Sequence, residues 1–355
     1  MVLRDNFSAA RRCALWMVSV TILFAIVGPC LAQEAQDENA TLTLHVYTNL
    51  IQIPVLILSP LLDYAPKVDP KNLTVTLGDG KPFHPNHIRL EGDDPIALAI
   101  LFDVSDSKSD LPARFGPALA KLAEQSLRPQ DRVAIYALDC GLLRISGFVP
   151  GNADSLKVAG ERARDATTPR EDKHRRSCGT SLRLLDALAA VIDGLSHQPG
   201  RRVLFAISGG IDNGSKISVD DLHRYANDQG VAIFGLTEGP GTLPRGFNLN
   251  SPASGRPQSP FSLICENTGG LVLHTFADGL PKSLMSLVNL VRGRIIVEFP
   301  RPSELTPGPH SINVSLAKTV AFIRPSGNSV PLPDPHVVAD PNTIHPEDSV
   351  PAPPQ

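Results

Sequence analysis

Two periodicities divide the chain. From Thr41, apolar and polar residues alternate through Leu42, Leu44 and Val46, then through Ile51, Ile53, Val55 and Ile57. A period of two with β-branched residues predicts strands. Pro54 falls inside the second run, which predicts an edge strand or a bulge there. Residues 73–77 give another strand, closed by the turn Gly78-Asp79-Gly80, and residues 87–90 one more. At Pro95 the pattern changes. Residues 96–102 are an unbroken apolar run, as in a strand buried on both faces. Phe115, Leu119, Leu122 and Leu127 then recur at helical spacing and predict a helix over 112–126. Strands over 132–138 and 142–148 follow, then an amphipathic helix over 181–195, a buried strand over 203–207 and a helix over 219–228. A strand over 231–236, a Gly/Pro/Asn-rich loop over 238–258 and a short helix ending at Thr268-Gly269-Gly270 come next. A strand over 271–275 and a helix to 291 close this part.

Strands alternating with helices specify an α/β fold with a doubly wound, mostly parallel sheet. After the last helix the period of two returns, in Ile295, Val297 and Phe299, in Ile312, Val314 and Leu316, and in Val320, Phe322 and Arg324. The simplest architecture pairs segment 293–325 with segment 41–92 as a small all-β module, with the α/β domain 93–292 inserted into it. Such insertions are feasible because the termini of a compact domain often lie close together. Residues 326–355 are polar and Pro-rich, ending Pro-Ala-Pro-Pro-Gln, and are expected to be disordered.

The N-terminus reads as an export signal over 1–32. Arg4, Arg11 and Arg12 precede an apolar stretch from Cys13 to Val27, Gly28 and Pro29 break it, and Cys30-Leu31-Ala32 offers a small-x-small cleavage pattern. The competing reading is an uncleaved anchor, the only membrane contact the sequence suggests, since the stretch is slightly short of a span. Residues 33–40 form a polar leader. The body is therefore expected outside the cytoplasm, periplasmic or secreted. A formal charge of -3 argues against a polyanion binder, and no nucleic-acid partner is expected. If the signal is cleaved, Cys140, Cys178 and Cys265 remain, so one intrachain pair at most can form in a compartment that permits disulfides.

Ligands of open α/β sheets bind at the carboxyl ends of the strands. The run 96–102 exits into Asp103, Ser105 and Ser107, an Asp-x-Ser-x-Ser pattern whose short oxygen-bearing side chains suit a hard divalent cation. A later loop carries Cys178-Gly179-Thr180, and the second buried strand exits into Ser208-Gly209-Gly210-Ile211-Asp212-Asn213. Taken singly, Asp103 reads as a turn-bracing residue and the serines as helix-initiating hydroxyls. In this order they resemble a von Willebrand factor A domain, and in particular its secreted, acidobacterial-type members. The segments NLIQIPV, CGTSLRLLDAL, FAISGGIDNGS and CENTGG extend the likeness over residues 42–325.

That resemblance implies a metal-ion-dependent adhesion site. Asp103, Ser105, Ser107 and Thr180 map onto the family's metal ligands, and Mg²⁺ or Mn²⁺ is the implied cofactor. The chain departs from the pattern at Gly209, where the family has Asp. Asp103 is then the one matched carboxylate, with Asp106, Asp139 or Asp212 as compensators acting through water, and Lys173, Arg175 and Arg176 before Thr180 add charge unfavourable to a cation. Without metal, that basic segment could itself receive an acidic group. Cys140 follows the strand beside the first, so a Cys140–Cys178 bridge would clamp the loop that presents Thr180; the alternative is two unpaired thiols. No Gly-x-Ser-x-Gly elbow and no His-Glu-x-x-His is present, and no enzymatic activity is expected. The family implies reversible binding of a protein partner through an acidic side chain that completes the cation. A structural protein of the cell envelope with a decayed site is the competing reading.

Overall fold

The computed structural model describes residues 45–46, 50–59, 68–92, 94–105, 109–166, 182–239, 259–300, 308–317, 321–327, 329–330 and 343–344. The expected signal 1–32 and leader 33–40 lie outside them, as do Ser107, Cys178 and Thr180. No helix among the described residues is long and apolar enough to cross a membrane. The chain divides into two units, Met1–Tyr47 with Val337–Gln355, and Thr48–His336. In the first, the described residues are β1 (His45–Val46), paired in parallel with β16 (Thr343–Ile344).

Everything else belongs to the second unit. In chain order its strands are β2 (Leu50–Leu58), β3 (Leu73–Leu77), β4 (His87–Leu90), β5 (Ile96–Asp103), β6 (Arg132–Leu138), β7 (Leu142–Pro150), β8 (Arg201–Ile207), β9 (Val231–Glu238), β10 (Val272–Thr275), β11 (Ile295–Pro300), β12 (Gly308–Pro309), β13 (Ile312–Leu316), β14 (Phe322–Pro325) and β15 (Ser329–Val330). Its helices are α1 (Leu111–Gln125), α2 (Ala153–Asp165), α3 (Leu184–Ser196), α4 (Val219–Asp228), α5 (Pro260–Asn267) and α6 (Leu280–Arg292).

Six strands form one sheet in the order β10-β9-β8-β5-β6-β7, with β7 antiparallel and the rest parallel. The apolar run of β5 serves both faces, because successive side chains point to opposite sides. Leu98, Ile100 and Phe102 join a core with α1, α2 and α6, while Ala97, Ala99 and Leu101 join a second core with α3, α4 and α5. Phe102 stacks on Phe115 of α1 with centroids 4.2 Å apart.

The N- and C-terminal strands form a separate antiparallel sheet, in the order β14-β2-β11-β4, and β13 pairs with β3 beside it. Their shared core is Ile51, Ile53, Val55 and Ile57 of β2 with Leu73, Val75, Val297 and Phe299. Leu56 and Leu58, on the other face of β2, are buried in the α1–α2–α6 core. One strand therefore stitches the β module to the α/β sheet, which is why its second half is apolar at every position.

Pro54 does not sit where its sequence context predicts. Pro54 marks neither an edge nor a described bulge: β2 lies inside its sheet, between β14 and β11. Ile296 of β11 pairs with Pro54, and the Pro54 carbonyl accepts from Ser326 N on the β14 side. A residue's N and O point to the same side of a strand. The missing N–H thus faces β14 one residue beyond that strand's last pair, Pro325 with Val55, where the ladder is ending.

Of the segment expected to be disordered, 326–355, the described residues are 326–327, 329–330 and 343–344. Ser326 is buried, Gly327 N donates to Asn227 Oδ1, and β15 pairs with β12.

The chain enters the α/β layer between β4 and β5 and leaves it between α6 and β11. These two crossings are adjacent. Glu91 N donates to Arg294 O and Gly92 N to Arg292 O. The Arg294 guanidinium lies in a bidentate pair with Glu91, both contacts at 2.7 Å, with the residues 1% and 2% exposed. Beside it Arg292 pairs with the fully buried Asp131, whose carboxylate also accepts from Ile96 N at the start of β5.

Candidate functional site

Four adjacent parallel strands, β9, β8, β5 and β6, end on one rim, and Asp103 is the last residue of β5, near the middle of that row. Parallel register pairs Phe102 with Ile207, which sets Ser208 beside Asp103. The Ser208 hydroxyl donates to Asp103 Oδ2 at 2.7 Å and accepts from Gly210 N at 3.1 Å. Asp103 Oδ1 accepts from Ser105 N at 3.0 Å and from the Ser105 hydroxyl at 2.6 Å. Asp103 and Ser105 are thus brought together, and the part-buried carboxylate is held from both sides by hydroxyls. Ser208 is the residue that sequence reasoning left without a role. Its position directly after a buried strand, one register step from Asp103, is the signal that identifies it.

Gly209 stands in open space. A Cβ placed on it meets nothing within 4 Å, and its φ lies outside the left-handed region. Gly210 differs: its φ is 74°, and a Cβ there would lie 2.9 Å from Phe261 Cβ. The loop therefore needs a glycine at 210 and none at 209.

Asp212 is occupied elsewhere. Its Oδ1 accepts from Leu185 N at 3.0 Å and from the Ser215 hydroxyl at 2.6 Å, and its Oδ2 from Ser215 N at 3.4 Å. The residue before α3, Arg183, makes no side-chain cap, so Asp212 supplies one from 27 residues away. Burial pushes its carboxyl upward, but bonds from the Ser215 side chain and from the Leu185, Ser215 and Gly214 amides outweigh this and hold it below the usual range. Asp186, within the first turn of α3, accepts in turn from Lys216 N and Ile217 N. Together these bonds fix the loop after β8 against the start of α3.

The neighbouring strand β6 runs into Asp139 and Cys140. Asp139 is buried, and its N donates to Gly141 O at 3.2 Å. Cys140 is disulfide-bonded, to a partner outside the described residues. Cys265 is a free, buried thiol on α5 that burial pushes far up from its ordinary range.

The described residues do not fit a divalent cation. At the centre of the rim they place the Asp103 carboxylate, already accepting three hydrogen bonds, where a hard cation wants several oxygen ligands with free lone pairs. Among the described residues no cluster of three or more His, Cys, Asp or Glu could hold a metal ion. Apolar side chains flank the polar centre on the same rim: Ile211 after β8 is 59% exposed and Phe276 after β10 is 61% exposed.

No family model matches the sequence, and no curated protein matches it. Solved structures do. Proximal thread matrix protein 1 from the mussel byssus is 14% identical over 57% of this chain and 49% of that one, with a TM-score of 0.40. One structure of that mussel protein has zinc in its MIDAS motif. BatB from Bacteroides thetaiotaomicron is 12% identical over 55% and 98% of the two chains, at a TM-score of 0.37. The vWF domain of the type V pili tip protein Mfa5 from Porphyromonas gingivalis is 9% identical over 60% and 98%, at 0.38. The chain spans about half the length of the mussel protein. The likeness is one of fold.

Proposed function

We propose that this protein is an extracytoplasmic, non-enzymatic binding module that engages a protein partner at the carboxyl rim of its six-stranded sheet, as in the secreted A-type domains that its sequence resembles. The observation that carries the reading is the placement of Asp103. It is a carboxylate pinned at the exit of a central strand, with exposed Ile211 and Phe276 on the same rim. Polar centres edged by exposed apolar side chains suit protein association. The signal-like N-terminus and the disulfide at Cys140 support a place outside the cytoplasm.

With Gly209 where the family has Asp, the site is a degenerate adhesion site, and binding proceeds without a cation. Asp103 repels an acidic partner group, so such a group is received by the basic segment Lys173, Arg175 and Arg176 rather than by a metal. The closure of Asp103 by the protein's own hydroxyls favours a second reading, a scaffolding protein of the envelope in which the rim is silent.

Immobilised protein incubated with envelope extract separates the two. The expected result is a partner retained by the native chain with or without chelator and lost from the Ile211→Asp variant at unchanged stability. Equal retention by both proteins, or none by either, removes the rim as the binding surface and leaves the scaffolding reading.

A further inference from the structure

A cavity of about 320 Å³ lies at the opposite end of β8 from Asp103, where β2 and Ser326 of the β module meet Arg201, Arg202 and the last residues of α4. Apolar side chains and several hydrogen-bond donors line it together. Arg294 lines it while 1% exposed, and donates through Nε and Nη2 to Glu91 and through Nη1 to Ser326. A guanidinium carries five N–H groups, so two find no acceptor among the described residues. Arg202 donates Nε to Gln198 O and Nη1 to Gln229 O, at 2.9 and 2.8 Å, and has no carboxylate partner among the described residues. Those two carbonyls fix the plane of its guanidinium and leave Nη2 without an acceptor among the described residues. Ser326 Oγ accepts from Arg294 while its own proton has no described acceptor, and Asn227, 4% exposed, uses one amide hydrogen on Asn267 O.

Acceptors do not balance these donors. Arg201 is matched by Asp94. The one acid among the lining residues, Asp228, is solvent-exposed and has a contact of its own. Pro54 and Ile312 supply a part-buried apolar wall. Arg202 is part-buried, so its open edge is left to solvent that a ligand acceptor would displace, and the volume is at the small end of ligand pockets.

We propose that this cavity binds the carboxylate of a small organic acid, with the carboxylate on Arg202 and Ser326 beside Arg294 and the apolar body against Pro54 and Ile312. The assignment is independent of the rim around Asp103, which lies at the other end of the sheet.

Titration of the native protein with monocarboxylates from acetate to phenylacetate, followed by melting temperature and calorimetry, tests it. Inorganic phosphate and the matching uncharged amides serve as controls. A saturable response to a carboxylate and none to its amide is expected. Arg202→Gln, with an unchanged far-UV spectrum, should weaken binding at least about tenfold, the loss of one charge-assisted bond. Ser326→Ala should weaken it less, and Ile211→Asp not at all. No saturable response to any carboxylate, equal responses to acid and amide, or undiminished binding by Arg202→Gln would each overturn the proposal.

Discussion

The buried pair Glu91–Arg294 joins the two points at which the α/β layer is inserted into the β module, so its removal tests how the unit is held together. Both contacts are 2.7 Å, neither residue is more than 2% exposed, and the guanidinium also bonds Ser326 and lies 5.9 Å from the Phe234 centroid. Arg294→Met leaves Glu91 as an uncompensated buried charge, and breaking such a pair costs about 3–5 kcal/mol. Each kcal/mol lowers the melting temperature of a domain this large by about 2–4 °C, so the variant should melt about 6–20 °C below the native chain. Glu91→Leu combined with Arg294→Met removes both charges and both desolvation penalties. The double variant should therefore lie within about 2 kcal/mol of the native chain rather than at the sum of the two singles.

Urea denaturation of the four proteins gives the coupling directly. Native-state hydrogen exchange locates it, because Glu91 N and Gly92 N, bonded to Arg294 O and Arg292 O, should lose protection first in the single variants. Single variants within about 0.5 kcal/mol of native, or a double variant as unstable as the sum, would refute the reasoning that the pair fastens the insertion.

Gly209→Asp should fold normally, since its Cβ meets nothing within 4 Å, and should gain calorimetric Mn²⁺ or Mg²⁺ binding absent from the native chain; Asp103→Ala in that background should abolish the gain. Asp212→Asn should destabilise by about 1–2 kcal/mol at neutral pH through the weakened α3 cap. Because the native carboxyl titrates below its unfolded value, that contribution is complete above about pH 4 and is lost as pH falls through the folded value, so urea midpoints of the two proteins should converge in acid. Alkylation of the denatured chain without reductant should label Cys265 and spare Cys140, with Cys140 appearing only after reduction; peptide mapping also tests the proposed pairing with Cys178.

The fold was legible where burial left a strong period. The strands 132–138 and 203–207 read clearly because nearly every side chain in them is apolar and packed on one of two cores. Helix α2 gave no such signal. Its buried stripe is Leu156, Ala159, Gly160 and Ala163, and a Cβ on Gly160 would stand 2.7 Å from Gly116 Cα of α1. A helix that packs through glycine and alanine is held by close backbone approach, and hydropathy does not register that. Pro54 misled for a related reason, since the rule against proline in a central strand concerns a missing donor, and here that donor points past the end of β14. In the candidate site, Asp103 and Ser105 were readable because they are two residues apart. The Asp212 bond to Leu185 N and the Ser208 bond to Asp103 span 27 and 105 residues, and only the register of parallel strands reveals them.

The loop after β8 separates geometry from chemistry more sharply than the sequence suggests. Ser208-Gly209-Gly210 looks like one glycine-rich turn, yet its second glycine is demanded by a positive φ and by Phe261, while its first is demanded by nothing within 4 Å. The backbone would hold the same path with an aspartate at 209, and Gly210 N would still reach the Ser208 hydroxyl. The fold therefore does not explain the absent carboxylate. What changes with it is the charge beside Asp103, whose carboxylate takes its hydrogen bonds from Ser105 and Ser208. On the proposed reading such a rim offers a partner shape and hydroxyls, so affinity there should depend on apolar contact at Ile211 and Phe276 and should be indifferent to chelators.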